Sequence, residues 1–289
     1  MIFNSYAFLA FFPIVTLAYY RMPMRARRPW LLAASYYFYM CWNAQYALLI
    51  AASTLVTYLC ALALGRMKAK AGRRAVLALG LAINLGILCF FKYFGFFTNT
   101  FARIAARLGV RMAIPAFDVL LPVGISFYTF QILSYTVDVY RQDVKAQRNL
   151  IDLATYVALF PQLIAGPIVR YSDIAEQLKG RIHTMGKTAQ GIRRFILGLG
   201  KKILIANLLG ELCSIFRTSD DKSVLFFWLY AVAYTLHVYF DFSGYSDMAI
   251  GLGKLFGFDF LENFNYPFIS KSITEFWRRW HMSLGTWLA

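Results

Sequence analysis

Charged residues are scarce in this sequence, and acidic residues are the scarcer of the two kinds. Charged side chains make up 15% of the 289 residues, whereas hydrophobic ones make up 60% and the mean hydropathy is +0.53. Soluble domains carry about 25% charged residues and about 45–50% apolar ones. The apolar residues also come in runs long enough to cross a bilayer core about 30 Å thick. The composition therefore excludes an ordinary soluble protein and predicts one with several membrane spans.

Cysteine and histidine are also few, which limits metal and disulfide chemistry. The four cysteines lie scattered in apolar segments without a paired spacing, so we interpret Cys41, Cys60, Cys89 and Cys213 as buried free thiols. The three histidines are too far apart to form a zinc signature. The sequence predicts no metal site and no bound cofactor.

Basic residues are the one abundant charged class, and their placement is informative. The formal net charge is +16, with arginines and lysines concentrated in the short segments Arg21–Arg28 and Arg66–Arg74. Short basic loops beside apolar spans are typical of the cytoplasmic side, and they lack the interleaved aromatic residues of a nucleic-acid surface. The first apolar run, Tyr6–Tyr20, has no basic residues ahead of it, so it predicts a retained span with its N-terminus outside. The bilayer is the expected partner, and nucleic acid is not.

The remaining apolar runs predict spans of different kinds. Trp30–Leu64 is too long for one untilted span and is interrupted near Cys41–Gln45, which leaves two crossings or a re-entrant hairpin open. Ala75–Phe97 predicts a further span. The basic, amphipathic segment Phe101–Arg111 is expected at a membrane interface.

The later half of the chain contains apolar runs that proline, glycine and polar residues interrupt. These runs are Leu120–Tyr140, Leu150–Val169, Ile192–Phe216 (with Lys201 and Lys202 inside it) and Ser223–Phe242. Polar groups and broken helices are tolerated at membrane depth only where they face protein or a water-filled cavity. The predicted fold class is all-α: a polytopic transmembrane helix bundle with re-entrant or broken helices, forming a single membrane domain over residues 1–289.

The densest polar stretch runs from His237 to Asp247 and includes Ser243 and Tyr245. His237 and Asp241 are four residues apart, so on a helix they share a face and are expected to pair. Asp247 follows Gly244, where we expect the helix to unwind. Ionisable residues inside a span are costly and are candidates for function, although a structural hydrogen-bond network explains them equally well.

A second polar stretch begins at Asn263 and leads into an amphipathic helix. Ser272 and Glu275 form a capping box, which predicts a helix start, and apolar residues recur on one stripe as far as Leu288. The expected interfacial helix carries Trp277, Arg278 and Arg279, and its arginines are suited either to an anionic donor or to lipid headgroups. His281 falls at the border of the apolar stripe, where its imidazole could take a proton from an attacking hydroxyl or simply pack.

Three strings of this sequence resemble the membrane-bound O-acyltransferase family, in particular its bacterial branch of alginate O-acetylation and teichoic acid D-alanyl transfer. These strings are Leu121–Gln131 (LPVGISFYTFQ), Phe160–Arg170 (FPQLIAGPIVR) and Tyr239–Leu288. The opening Met1–Tyr20 is also similar, so the resemblance covers essentially the whole chain.

The resemblance implies a ring of helices around a thin, funnelled centre in the bacterial inner membrane. It implies acetyl-CoA or another acyl thioester as a cytoplasmic donor, an extracytoplasmic polysaccharide as acceptor, and possible relay through a periplasmic acetyl-transfer partner protein. It places His281 in the catalytic site. The residues expected to bind substrate are Asp241, Ser243, Tyr245, Asp247, Asn263, Trp277, Arg278 and Arg279.

The chain departs from the family pattern at its end. The family carries a second histidine some tens of residues after the first, and this sequence has no counterpart before Ala289. We therefore expect a truncated chain that is inactive on its own, although its family transfers acyl groups. Two alternatives stay open: a catalytically inactive membrane scaffold, and a transporter built on broken helices.

Overall fold

The computed structural model describes residues 1–109, 120–164, 166–220 and 223–288, and this part of the chain is mostly α-helical. It divides into two compact units, one formed by residues 43–157 and the other by residues 1–42 and 158–289. The first unit contains α3 (Ala44–Arg66), α4 (Lys70–Arg107), α5 (Ile125–Arg141) and most of α6 (Leu150–Ala158). The predicted single membrane domain stays a prediction.

The second unit holds the remaining helices. At its start are α1 (Tyr6–Arg21) and α2 (Met24–Met40), and its later elements are α7 (Phe160–Leu163), α8 (Tyr171–Lys179), α9 (Met185–Gly200), a π-helical turn (Lys201–Asn207), α10 (Leu208–Thr218), α11 (Val224–Leu255), a 3₁₀ turn (Pro267–Ile269), α12 (Ile273–Arg279) and α13 (Met282–Leu288). Between α11 and α13, the single isolated β-bridge of the described residues joins Phe264 to Trp280.

Three helices of the described part are long and apolar enough to cross a membrane: α3, α4 and α11. The shorter apolar helix α1 begins where Ser5 accepts a hydrogen bond from the backbone N–H of Phe8 at 3.2 Å. These lengths confirm the all-α membrane fold class. The predicted interruption near Cys41–Gln45 is also confirmed, since α2 ends at Met40 and Asn43 caps α3.

The unit of residues 43–157 buries polar side chains between its helices. Asn84 of α4 is 2% exposed and donates to the carbonyl oxygen of Gly80 at 2.9 Å. Gly80 lets α4 approach α3 closely, because a Cβ added there would lie 3.1 Å from Cys60 Sγ. This bond within α4 therefore satisfies a buried amide group that the apolar surroundings would otherwise penalise.

The other unit has an aromatic core in which α1, α2 and α7 meet. Phe8, Phe38 and Phe160 are fully buried, and their rings lie within 6.4 Å of one another. Ser35 of α2 accepts a hydrogen bond from the backbone N–H of Phe160 at 3.1 Å, which satisfies a donor at the start of α7. The predicted break in Leu150–Val169 is confirmed, since α6 ends at Ala158 and α7 begins at Phe160.

Helices α9 and α11 cross with their backbones in contact. A Cβ added at Gly198 would lie 2.6 Å from the carbonyl oxygen of Gly244, and one added at Gly191 would lie 2.7 Å from that of Gly251. Real Cβ atoms do not come this close, so only glycine permits the crossing. The expected unwinding of α11 at Gly244 is wrong: the helix is continuous from Val224 to Leu255, and Gly244 serves close packing instead.

The segment Phe101–Arg111 continues a neighbouring helix. Residues 101–107 form the last turns of α4, and residues 110 and 111 lie outside the described residues. Phe101 and Ile104 are 62% and 49% exposed. The interfacial location expected for this segment stays a prediction.

The glycine contact predicts a specific stability defect. Gly198→Ala should lower the free energy of unfolding by about 1–3 kcal/mol, because the new methyl group overpacks the α9–α11 crossing. Gly200→Ala is the matched control, since nothing lies within 4 Å of a Cβ added there. Thermal unfolding in detergent measures both variants, and equal melting temperatures for the two would contradict the close crossing.

Candidate functional site

A break between α12 and α13 determines the position of His281. The predicted continuous helix from Ser272 to Leu288 is wrong, because Trp280 is extended and His281 has a φ of +49°. The capping box is confirmed in modified form: Ser272 accepts from the backbone N–H of Glu275, while the Glu275 carboxylate accepts from that of Lys271. Apolar periodicity continues through the break, which is why the sequence pattern did not show it.

Backbone hydrogen bonds on both sides of His281 stabilise this break. The backbone N–H of Asn265 donates to the carbonyl oxygen of Arg279, and that of Met282 donates to the carbonyl oxygen of Asn263, each at 2.9 Å. The first of these bonds belongs to the antiparallel bridge between Phe264 and Trp280. The two bonds turn the chain so that His281 faces the Asn263 side chain and meets the Phe242 ring in a T-shaped arrangement, with the ring centroids 4.8 Å apart.

Asn263 is the centre of a buried polar cluster. Its Oδ1 accepts from Nδ1 of His281 at 2.9 Å, from the Ser283 hydroxyl at 2.9 Å and from the Ser283 backbone N–H at 3.4 Å. The hydroxyl of Ser283 in turn accepts from the backbone N–H of Ile168 at 3.0 Å. Asn263 and Ser283 are 1% and 2% exposed, so the cluster is shielded from water.

This geometry fixes the proton on the imidazole of His281. A backbone N–H can only donate, so the Asn263 atom facing Ser283 is the amide oxygen. Nδ1 of His281 therefore carries the hydrogen, and Nε2 is left as the acceptor nitrogen of a neutral ring. Nε2 makes no hydrogen bond to any described residue. Burial lowers the pKa of His281 to about 4, which keeps the ring neutral near neutral pH.

A cleft of about 1170 Å³ adjoins this cluster. It lies between α9, the π-helical turn, α11 and the segment of residues 262–266, and Asn263 and Met282 line it. His281 does not line the cleft itself. It reaches the cleft wall through Asn263, whose Oδ1 holds His281 while its Nδ2 has no partner among the described residues.

Ion pairs form one wall of the cleft. The Asp247 carboxylate accepts from Arg194 at 2.8 Å and from Lys201 at 2.7 Å, and Arg194 also pairs with Glu262. Asp247 has only 15% of its side chain exposed, so these pairs are partly desolvated. The close α9–α11 crossing brings the two cations to the carboxylate.

Buried hydroxyl groups face the same cleft. Ser243 and Ser246 of α11 line it, are each 2% exposed, and have hydroxyl oxygens without a hydrogen-bond partner in the described ranges. Buried polar groups are normally paired, and unpaired ones call for an explanation such as a bound ligand. Together with Asn263 Nδ2, they are the groups of this cleft that a polar ligand would satisfy.

The predicted site residues separate into two sets. Ser243, Asp247 and Asn263 line the cleft, and Asn263 connects it to His281. Asp241 faces elsewhere and pairs with Lys202, while Tyr245 stacks on Phe3 with centroids 4.6 Å apart.

The other predicted residues lie on the exposed side of α12. Trp277 is 56% exposed, and Arg278 is exposed without an ion pair to a described residue. Arg279 pairs with Glu275 at 3.0 Å and donates to the carbonyl oxygen of Asn265. These contacts give Arg279 a part in stabilising the turn before His281.

The expected pairing of His237 with Asp241 is wrong. Nδ1 of His237 lies 2.8 Å from the carbonyl oxygen of Ala206 in the π-helical turn, and Asp241 contacts Lys202 of the same turn. Both side chains of α11 therefore bind the neighbouring helix. Sequence spacing shows that two residues share a face, but it does not show that a competing partner lies opposite that face.

Sequence reasoning missed several residues of the site. Lys201 was noted only as a charge inside an apolar run, and Arg194, Glu262 and Ser283 were not singled out. Arg194 carried a usable signal, because it lies in the apolar run Ile192–Phe216, where a charged residue requires a partner. Ser283 carried no such signal, since a single serine on a predicted helix does not stand out from other polar residues.

Comparisons with known proteins agree with this architecture. The family model described as membrane-bound O-acyltransferase matches residues 140–289, which include the whole α9–α11 cleft and the His281 cluster. A probable alginate O-acetylase of Azotobacter vinelandii is 46% identical over all of this chain, which covers 58% of that protein.

More distant relatives act on other polymers according to their names. A peptidoglycan O-acetyltransferase of Helicobacter pylori is 34% identical over the whole chain, which covers 60% of that protein. A teichoic acid D-alanyltransferase of Bacillus subtilis is 31% identical over 60% of the chain and 45% of its own length. The chain thus spans about three fifths of the first two relatives' length. Since the family model matches more than half of its residues, the chain belongs to the membrane-bound O-acyltransferase family.

Proposed function

We propose that this protein takes part in membrane O-acyl transfer, moving acetyl groups toward hydroxyls of an extracytoplasmic polysaccharide of the alginate type. The similarity to a probable alginate O-acetylase over the whole chain favours this acceptor class. The observation that carries the proposal is the neutral His281, whose Nε2 has no hydrogen-bond partner among the described residues. A multi-pass location in the bacterial inner membrane fits the apolar helices α3, α4 and α11.

The proposed donor is a cytoplasmic acyl thioester such as acetyl-CoA. The acceptor hydroxyl oxygen attacks the thioester carbonyl, a C–O bond forms and the C–S bond breaks. Nε2 of His281 accepts the hydroxyl proton, and the departing thiolate takes it up. Where a periplasmic partner protein is the immediate acceptor, the same bonds form and break.

The low pKa of His281 has a consequence for this role. A base with a pKa of about 4 is always free to accept a hydrogen bond near neutral pH, but it holds a proton weakly. The proton that Nε2 accepts is therefore passed on readily to the departing thiolate. Asn263 supports the transfer by keeping Nδ1 protonated, which leaves Nε2 as the nitrogen that can accept a proton.

Replacing His281 tests the proposal directly. His281→Asn should reduce polysaccharide O-acetylation at least about 100-fold, because asparagine tolerates the positive φ but cannot serve as a base. The O-acetyl content of the secreted polymer is measured at matched membrane abundance. His237→Asn is the control, since this histidine bonds to the carbonyl oxygen of Ala206 and is not among the residues that line the cleft. Wild-type acetylation in His281→Asn would remove the imidazole from the reaction.

The pH dependence tests the protonation state of His281. The reaction needs neutral His281, so the wild-type rate should be lost only as the pH falls through about 4. In Asn263→Asp a carboxylate faces Nδ1 and stabilises the imidazolium, so the pKa should rise. The acid limb of the initial-rate profile should then move upward by at least about one pH unit. An unchanged acid limb in Asn263→Asp would show that the ionisation of His281 does not control the rate.

The two aspartates of α11 should behave differently. Asp247→Asn should lower acetylation at least about tenfold, because Arg194 and Lys201 lose the carboxylate that positions them in the cleft wall. Asp241→Asn removes an ion pair that does not line the cleft, so its loss should stay below about threefold. Acetylation assays normalised to protein abundance compare them, and equal losses would argue against this cleft as the site.

A further inference from the structure

A second cleft lies wholly within the unit of residues 43–157. Its volume is about 910 Å³, and it is bounded by the end of α3, the start of α4 and the segment that follows α5. Four cationic side chains line it, and we call it the basic cleft: Arg66, Arg73, Lys145 and Arg148. Nothing in the proposed acyl transfer uses these residues.

The basic cleft is lined by cations and by no carboxylate, since no acidic residue is among its lining residues. None of its four cations forms an ion pair with a carboxylate in the described part of the chain. Asp143 is close in sequence, but its neighbours Gln142 and Val144 line the cleft and its own side chain does not. Like charges brought together in this way repel one another unless an anion joins them.

The walls of the basic cleft are fixed by hydrogen bonds. The Tyr58 hydroxyl donates to the carbonyl oxygen of Arg148 at 2.7 Å, and the backbone N–H of Gln147 donates to the fully buried hydroxyl of Tyr135 at 2.8 Å. The Arg73 guanidinium donates to the carbonyl oxygen of Tyr140 and lies over that ring, 5.5 Å from its centroid. These bonds fix the backbone that carries Arg148 and the guanidinium of Arg73, which lowers the cost of ordering the cleft around a ligand.

Helix electrostatics does not account for most of these cations. Arg66 lies in the last turn of α3, where a positive charge stabilises the helix end. Arg73 lies near the start of α4, where the helix dipole disfavours a cation. Lys145 and Arg148 belong to the segment after α5 and lie in no helix. Three of the four cations thus require another reason to converge.

We propose that the basic cleft binds a phosphate-bearing anion. Arginine guanidinium groups recognise phosphate oxygens in bidentate fashion, and a lysine adds a point charge. Two sources supply this chemistry: the headgroup of an anionic phospholipid and a soluble phosphorylated molecule. The short basic segment Arg66–Arg74 contributes two of the four cations, so the expected cytoplasmic side of this segment gives access to both sources.

Binding measurements on purified protein test the proposal and distinguish the sources. The protein in detergent is titrated with sodium pyrophosphate by calorimetry, and with dioctanoyl phosphatidylglycerol against dioctanoyl phosphatidylcholine by native mass spectrometry. The variant is Arg66→Gln with Arg148→Gln, which removes two charges from the cleft. The matched control is Arg103→Gln with Arg107→Gln, which removes two exposed arginines of α4 that do not line it.

The two double variants should differ clearly in their affinity for the probes. The cleft variant should weaken binding of the preferred probe at least about tenfold, and the control less than about threefold. Preference for phosphatidylglycerol identifies a lipid headgroup, and preference for pyrophosphate identifies a soluble ligand. Equal weakening in both variants would show only general charge attraction and would overturn the proposal. Absence of binding of both probes to the wild-type protein would overturn it as well.

Discussion

The contact between the backbones of α9 and α11 is the constraint on which the candidate site depends. Glycines at 198 and 244 leave the two helices without side chains at the crossing, so the carbonyl of one lies against the backbone of the other. At this distance Arg194 and Lys201 reach the Asp247 carboxylate, and three charges that apolar surroundings would penalise become mutually satisfied. The ion pairs form the wall of the cleft, and the hydroxyls of α11 face its interior. Because the glycines have no side chains, the helices approach closely enough for the charged side chains beside the crossing to pair.

The position of His281 depends on a different local feature. A histidine inside a regular helix would point along the helix surface, and its partners would be residues three or four positions away. The extended Trp280 and the positive φ of His281 instead turn the ring toward Asn263, a residue from the preceding segment. A non-glycine residue in this backbone region carries a small conformational cost, which the bridge between Phe264 and Trp280 offsets. The same turn buries the ring, and burial keeps it neutral.

Much of the fold was predictable from the sequence, because long apolar runs and their interruptions directly reflect bilayer thickness and helix ends. The first helix, the interruption before Ala44 and the break after Ala158 follow from these signals. Several site residues were also predictable, since polar residues in an apolar chain are few enough to be noticed one by one. The hydrogen-bond and ion-pair partners of these residues were not predictable from the sequence. His237 and Asp241 share a helix face, yet each binds the neighbouring π-helical turn, and only the packing of helices distant in sequence determines this. The turn at His281 was not predicted for a related reason. The apolar stripe continues on both sides of the turn, so periodicity cannot reveal a break that tertiary hydrogen bonds create.

The basic residues of this chain differ in their local balance of charge, although composition counts them together. Near the α9–α11 crossing, arginine and lysine meet carboxylates at 2.7–2.8 Å, so their charges hold the site's shape. In the basic cleft, cations converge on a hydrogen-bonded scaffold whose lining contains no carboxylate. The positive-inside rule explains why basic residues accumulate in short loops, but it requires only their presence, not their convergence on one concave surface. Convergence without a counter-charge costs electrostatic free energy in the isolated chain, and an anion from outside the chain would recover it. The paired cations therefore shape the wall of the cleft beside His281, while the four cations of the basic cleft are placed to bind an anion.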